Sequence, residues 1–155
     1  MLYLALKTLH VLTVVVFLGT GAGSAWYKFR ADRSGDVAVV VWCQREIVKA
    51  DWIFTVPSGL LLPLTGIALV EIGPWNYGMP WVALGIALYA VSGLTWLPAA
   101  FLQLRMRRLA EEALSAGEEL PEAFHRDRRV WMALGCPSFL AAVATVWLMT
   151  AKYMG

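Results

Sequence analysis

The chain has 155 residues, 59% of them hydrophobic and 15% charged, with a formal net charge of +2. A soluble domain is about 45–50% apolar and roughly 25% charged, so this composition is displaced toward lipid. It excludes a soluble enzyme, a nucleic-acid reader and a disordered tail.

Placement of the charges says more than their number. No Asp, Glu, Lys or Arg occurs from Thr8 to Tyr27, from Trp52 to Val70, from Ile72 to Leu104 or from Val130 to Ala151, stretches of 20, 19, 33 and 22 residues. Roughly 20 helical residues cross a ~30 Å hydrocarbon core, so four membrane helices are predicted, spanning about 2–27, 51–73, 81–104 and 129–153. The fold class is an all-α, four-helix up-and-down transmembrane bundle forming a single membrane domain. No segment outside the spans is long enough to bury a core of its own. The two longer connections hold Lys28, Arg30, Arg33, Arg45, Lys49, Arg105, Arg107, Arg108, Arg126, Arg128 and Arg129. The positive-inside rule then puts these connections in the cytoplasm and both termini outside, as a multi-pass protein of the cytoplasmic membrane.

The first helix runs from about Leu2 to the interfacial pair Trp26–Tyr27. It has one lysine before the apolar run and its bases after it, the polarity of a retained helix rather than a signal peptide. Gly19 and Gly23 form a Gly-x-x-x-Gly pair that predicts close approach of a neighbouring helix. After Gly35 and Asp36, the spacing of Val41, Trp42 and Val48 against Gln44, Arg45 and Lys49 predicts an interfacial helix over 37–49. Pro57 and Pro63 predict a kinked second span. The third span follows Pro80 and continues as an amphipathic stretch to Gly117. Pro121 sits in the first turn of a long fourth helix. Cys43 and Cys136 have no metal-ligand spacing and read as free thiols.

His10 is the one titratable side chain well inside the first span, about 12 Å from its outer end. A polar group at that depth faces the bundle interior and marks a candidate site. Lys7 lies one turn outward, with Thr13 or Val14 and Phe17 on the same face. A neutral imidazole ligates haem iron, and a nearby ammonium suits a haem propionate. The alternative is a histidine that simply hydrogen-bonds a neighbouring helix.

Lys7-Thr8-Leu9-His10 followed by Phe17-Leu18-Gly19 resembles the first helix of small haem membrane proteins, chiefly the HemJ-type membrane protoporphyrinogen oxidases and, more distantly, CopD-type copper-resistance proteins. Over nearly all its length the chain resembles a bacterial family of predicted integral membrane proteins without assigned function, domain-of-unknown-function family 2269. That match rests on the His10 helix, the Trp96-Leu97-Pro98 run into Gln103 and Arg105, and the closing Trp147-Leu148-Met149 with Lys152. The oxidase resemblance implies His10 as an axial ligand of haem b. Ala22-Gly23-Ser24-Ala25-Trp26 replaces the Leu-Pro-Arg segment of the oxidases, and the third span has no lysine, so the resemblance implies haem binding rather than protoporphyrinogen oxidation.

Met149 is the best second iron ligand, about one turn nearer the outer surface, with Lys152 about two turns nearer. A five-coordinate iron is equally compatible, and Met149 also suits apolar filling. Glu71, Trp75, Tyr77 and Trp81 form an interfacial belt at the outer level. Asp51, Trp52, Trp96, Gln103 and Arg105 either anchor helix ends or form a quinone-head or lipid-head site. The leading expectation is a haem b redox or electron-transfer protein, an oxidoreductase if it catalyses. Its partners would be the lipid bilayer, a quinone or membrane redox protein, and a second copy of the chain. The rivals are a non-catalytic membrane scaffold or complex subunit and a small-solute or metal transporter.

Overall fold

The computed structural model describes residues 1–151, and these form helices with no strands among them. The helices are α1 (Leu2–Asp32), α2 (Val37–Ala50), α3 (Val56–Ile72), α4 (Pro80–Ala116) and α5 (Glu122–Ala151), with a π-turn at Asp51–Thr55 between α2 and α3. Four helical stretches are long and apolar enough to cross a membrane.

Local chemistry sets the ends. Asp36 caps α2, its carboxylate accepting from the Ala38 amide at 2.8 Å. Pro80 fills the first turn of α4, where its missing N–H costs nothing. Gly117 closes α4 in the left-handed conformation at φ +70°. The Glu118 amide then returns to the Ala113 carbonyl at 3.0 Å, completing a Schellman turn. Pro121 immediately precedes α5, close to its expected place.

The expected interfacial helix is not separate from the second span. Residues 37–72 are one continuous helical stretch. Pro57 explains the join: its ring would clash with the carbonyl four residues back, and it has no N–H to bond there. The chain responds with a wider turn, in which the Val56 amide reaches back to Asp51 O. The buried face of α2 is Val40, Val41, Cys43, Gln44, Ile47 and Val48, while Trp42 stays exposed.

Side-chain pairings give the topology. Tyr3 meets Trp75, His10 meets Thr65, and Phe17 lies against Gly59, so α1 and α3 run antiparallel. Met149 lies against Gly85, Ser138 bonds Ser92, and Arg105 pairs with Asp127, so α4 and α5 do likewise. The Tyr89 hydroxyl bridges the two pairs by donating to the Gly59 carbonyl at 2.5 Å. Along α4 the buried residues Val82, Gly85, Ser92, Ala99, Gln103, Met106, Ala110 and Ala113 follow a seven-residue rhythm, the seam of a left-handed helix pair. Small side chains at Gly85, Ser92 and Ala99 let α5 approach closely without a hydrophobic drive from water.

One expectation about packing is corrected. A Cβ added at Gly19 or Gly23 would meet nothing within 4 Å, so among the described residues the Gly-x-x-x-Gly pair receives no neighbouring helix. The bundle also has a water-type core outside the apolar windows. α4 has 37 residues, about 55 Å of helix against ~30 Å of hydrocarbon. Its projecting end packs with α2 and the ends of α1 and α5 around Ala31, Val40, Val41, Cys43, Ile47, Met106, Ala110 and Phe124. No one connection could build that core, but four helix ends together do.

Candidate functional site

Polar side chains gather at the two ends of the bundle. At the end carrying Leu2, the His10 Nδ1 lies 2.7 Å from Thr65 Oγ1. The Thr65 hydroxyl donates to the Leu61 carbonyl at 2.7 Å. Its oxygen is therefore the acceptor toward the ring, and Nδ1 carries the proton. That assignment leaves the lone pair on Nε2, the arrangement by which a second-shell oxygen orients a metal-ligating or proton-accepting imidazole. Gly66 lies beside the ring, where a Cβ would make only an ordinary contact at 3.6 Å from His10 Cε1. By span length alone the depth of His10 corresponds to Leu64–Thr65 of the second span, and the bond to Thr65 is made at that depth.

The rest of the predicted ligand set is less concentrated. Lys7 lies on an exposed part of α1. Met149 packs on α4, its Cε 3.5 Å from where a Gly85 Cβ would stand, whereas His10 packs on α3. The structure thus seats the expected iron ligands on different helix pairs. Lys152 lies outside the described residues. Among the described residues, no three His, Cys, Asp or Glu side chains converge as a metal cluster.

The aromatic residues expected at the outer level do gather at the same end of the bundle as His10. Trp75 donates to the Tyr3 hydroxyl at 3.2 Å and meets Trp81 edge-on at 5.1 Å between ring centres. Tyr77 donates to Glu71 at 2.7 Å. That bond to a carboxylate, with the charge behind it, raises the Tyr77 phenol above its ordinary range.

The basic end holds a constellation that the sequence only half disclosed. Asp51 and Gln103, grouped as a candidate head site, do meet: the Gln103 amide donates to Asp51 Oδ2 at 2.5 Å, and Thr55 donates to Oδ1 at 2.7 Å. Arg105 departs from that group and pairs with buried Asp127 at 3.3 Å. Trp52 is exposed. Lys28, counted above among loop charges, is instead 2% exposed, with Nζ 4.1 Å from the centre of the Trp131 ring. It has no hydrogen-bond partner among the described residues, and neither polar atom of the buried Gln44 amide has one. Lys28 feels the charges of Asp32, Cys43, Asp51 and Arg128, drawn from α1, α2, the π-turn and α5. Asp32 pairs with Arg128 at 3.4 Å.

A sequence signal for Lys28 existed. It stands eighteen residues after His10, or about five helical turns, and so lies on the same interior stripe of α1. Gln44 and Asp127 had no comparable signal, because polar residues in basic connections ordinarily face water. Cys43 is a buried free thiol and Cys136 an exposed one, as expected.

No curated protein and no solved structure shows significant similarity to the chain. Four apolar helices, their antiparallel pairing and a family model matching residues 4–153 agree, and the chain belongs to the predicted integral membrane proteins of domain-of-unknown-function family 2269.

Proposed function

We propose that this protein is a membrane redox protein that holds haem b through His10 and passes electrons to a quinone or another membrane protein. The observation that carries the reading is the hydrogen bond between His10 Nδ1 and Thr65, which leaves the ligating lone pair on Nε2. The groups that would serve a haem here are the oriented His10 imidazole as iron ligand and the Lys7 ammonium one turn away for a propionate, with Met149 on the other helix pair and the iron five-coordinate. Bound haem would supply one-electron exchange at iron. This chain's own contribution is to fix the imidazole tautomer, to surround the ring with α3, and to exclude bulk water from it.

The test is purification of wild type and His10→Ala in mild detergent after expression with added haem. Oxidised and reduced visible spectra should show a Soret band and reduced b-type bands in wild type alone. Two colourless proteins of equal helicity would refute the proposal.

A second reading, a subunit of a larger membrane assembly, is favoured by the uncovered face of α1 at Gly19, Gly21 and Gly23. Such a face admits a helix from another chain. A colourless protein that elutes as a monomer in nanodiscs, with no copurifying chain, would remove that reading as well.

A further inference from the structure

Most cations at the basic end are answered by carboxylates of the chain itself. Arg45 pairs with Glu111, Lys49 with Glu46, Arg128 with Asp32 and Arg129 with Glu122, while Arg105 and Arg126 both approach Asp127. Arg30, exposed in the last turn of α1, is in no ion pair among the described residues. It stands instead at a cleft of about 210 Å³ between α1 and α2, lined by Tyr27, Arg30, Ala31, Val39, Trp42 and Cys43. Three of these carry donors for an anion: the guanidinium, the Tyr27 hydroxyl and the Trp42 indole N–H. Ala31 and Cys43 are buried and close the inner side.

The neighbouring carboxylates leave the cleft positive. Asp32 lies two residues past Arg30, about 200° round the helix. It faces Arg128 and Lys28, and its unpartnered Oδ1 is buried on that far side. Asp36 is engaged with the Ala38 amide as the cap of α2, and Glu46 with Lys49.

The position of the cleft selects the source of the anion. Tyr27 and Trp42 are exposed aromatics at the end of the first apolar run, the level of a lipid interface. Gly23 and Gly19 precede Arg30 by about two and three turns on the same stripe of α1, and a Cβ at either meets nothing within 4 Å. A shallow trough therefore runs from the cleft toward the hydrocarbon. Pockets that enclose a whole small molecule hold about 300–1,000 Å³, so a cleft of 210 Å³ seats a head group whose tails stay outside it.

We propose that the cleft between α1 and α2 is a site for one anionic phospholipid, with its phosphate on Arg30, Tyr27 and Trp42 beside it, and an acyl chain along Gly23 and Gly19. A guanidinium takes two phosphate oxygens at once. A zwitterionic head group brings an ammonium as well, for which the rim has no uncommitted carboxylate. The site does not depend on what His10 holds.

The test is native mass spectrometry of the full-length protein from a nonionic detergent, titrated with dioleoyl phosphatidylglycerol or dioleoyl phosphatidylcholine. One phosphatidylglycerol should bind per monomer, roughly tenfold more tightly than phosphatidylcholine, and resist added inorganic phosphate. Arg30→Gln should weaken it by roughly tenfold, the loss of a hydrogen bond to a charged group. Gly23→Leu fills the trough and should weaken it several-fold. Arg30 is exposed, and leucine favours helix over glycine, so both variants keep the fold. Arg108→Gln removes an exposed charge that is likewise in no ion pair among the described residues, but on α4, and should change nothing. Equal affinity for the two lipids, an equal loss in Arg108→Gln, or displacement by phosphate overturns the proposal. A dimer that Gly23→Leu dissociates overturns it too, because a second chain then fills the trough.

Discussion

The bond between His10 and Thr65 makes a quantitative prediction about the terminal end of the bundle. Thr65→Val keeps the shape of the side chain and deletes the oxygen that lies 2.7 Å from Nδ1. Side-chain hydrogen bonds inside membrane bundles couple by about 0.6 kcal/mol on average and up to about 1.7 kcal/mol. This one is short, is backed by the Leu61 carbonyl, and joins a half-buried ring to a buried hydroxyl. Its coupling should fall in the upper half of that range, about 1–1.7 kcal/mol, because the mutant leaves Nδ1–H without an acceptor. The assay is a double-mutant cycle of wild type, Thr65→Val, His10→Leu and the double variant, with unfolding followed by far-UV circular dichroism across a denaturing-detergent titration. A Thr65→Val penalty of the same size with and without His10 would show that the hydroxyl serves only its own helix. The tautomer assignment would then fall, and with it the main support for ligation through Nε2.

Other consequences are quickly checked. Phe124 is fully buried in the core at the basic end, so Phe124→Ala should cost about 3–5 kcal/mol and lower Tm by on the order of 10 °C. Gly117→Ala forces a side chain into the left-handed turn at φ +70° and should cost about 1 kcal/mol in the same thermal scan, whereas no loss would mean that the turn re-forms. The Tyr77 phenol donates to Glu71. The neutral phenol is the favoured form, so ring-carbon NMR should show Tyr77 ionising later than an ordinary tyrosine and Glu71→Gln moving it back down. The ion pair of Arg45 and Glu111, 2.6 Å apart and largely exposed, should contribute less than about 1 kcal/mol in a cycle of its own.

The apolar spans, their antiparallel order and the depth match between His10 and Thr65 were legible in the sequence. Charge-free length and turn residues determine these features in lipid. The continuity of α2 with α3 was not legible, because Gly35–Asp36 marks a real break before α2 while Pro57 suggests a second one that the π-turn absorbs. Gly19 and Gly23 show the limit of a motif: small residues permit close approach but do not provide the neighbour. Lys28 was misread for a related reason. A lysine at a helix end is ordinarily a solvated anchor, and only the convergence of α1, α2 and α5, a tertiary fact, turns it inward. Arg105 was grouped with Asp51 by level alone, and the antiparallel register of α4 and α5 gave it Asp127 instead.

The two ends of the bundle differ in how their polar groups are satisfied, and that difference has a thermodynamic signature. At the terminal end Thr65 binds both its own helix and His10, so removing either partner should destabilise the fold. At the basic end both oxygens of Asp51 have partners, whereas Asp32 Oδ1 and the Lys28 ammonium, one helical turn apart on α1, are buried without hydrogen-bond partners among the described residues. Replacing a whole buried ion pair by apolar side chains of similar size is often neutral or stabilising by about 1–4 kcal/mol, whereas removing one partner alone costs about 3–5 kcal/mol. Lys28→Met, which leaves Asp32 buried with one counter-ion fewer, should therefore lower Tm, and adding Asp32→Leu should recover part of the loss. A Lys28→Met variant as stable as wild type in the same scan would show that the ammonium is not the counter-ion of Asp32.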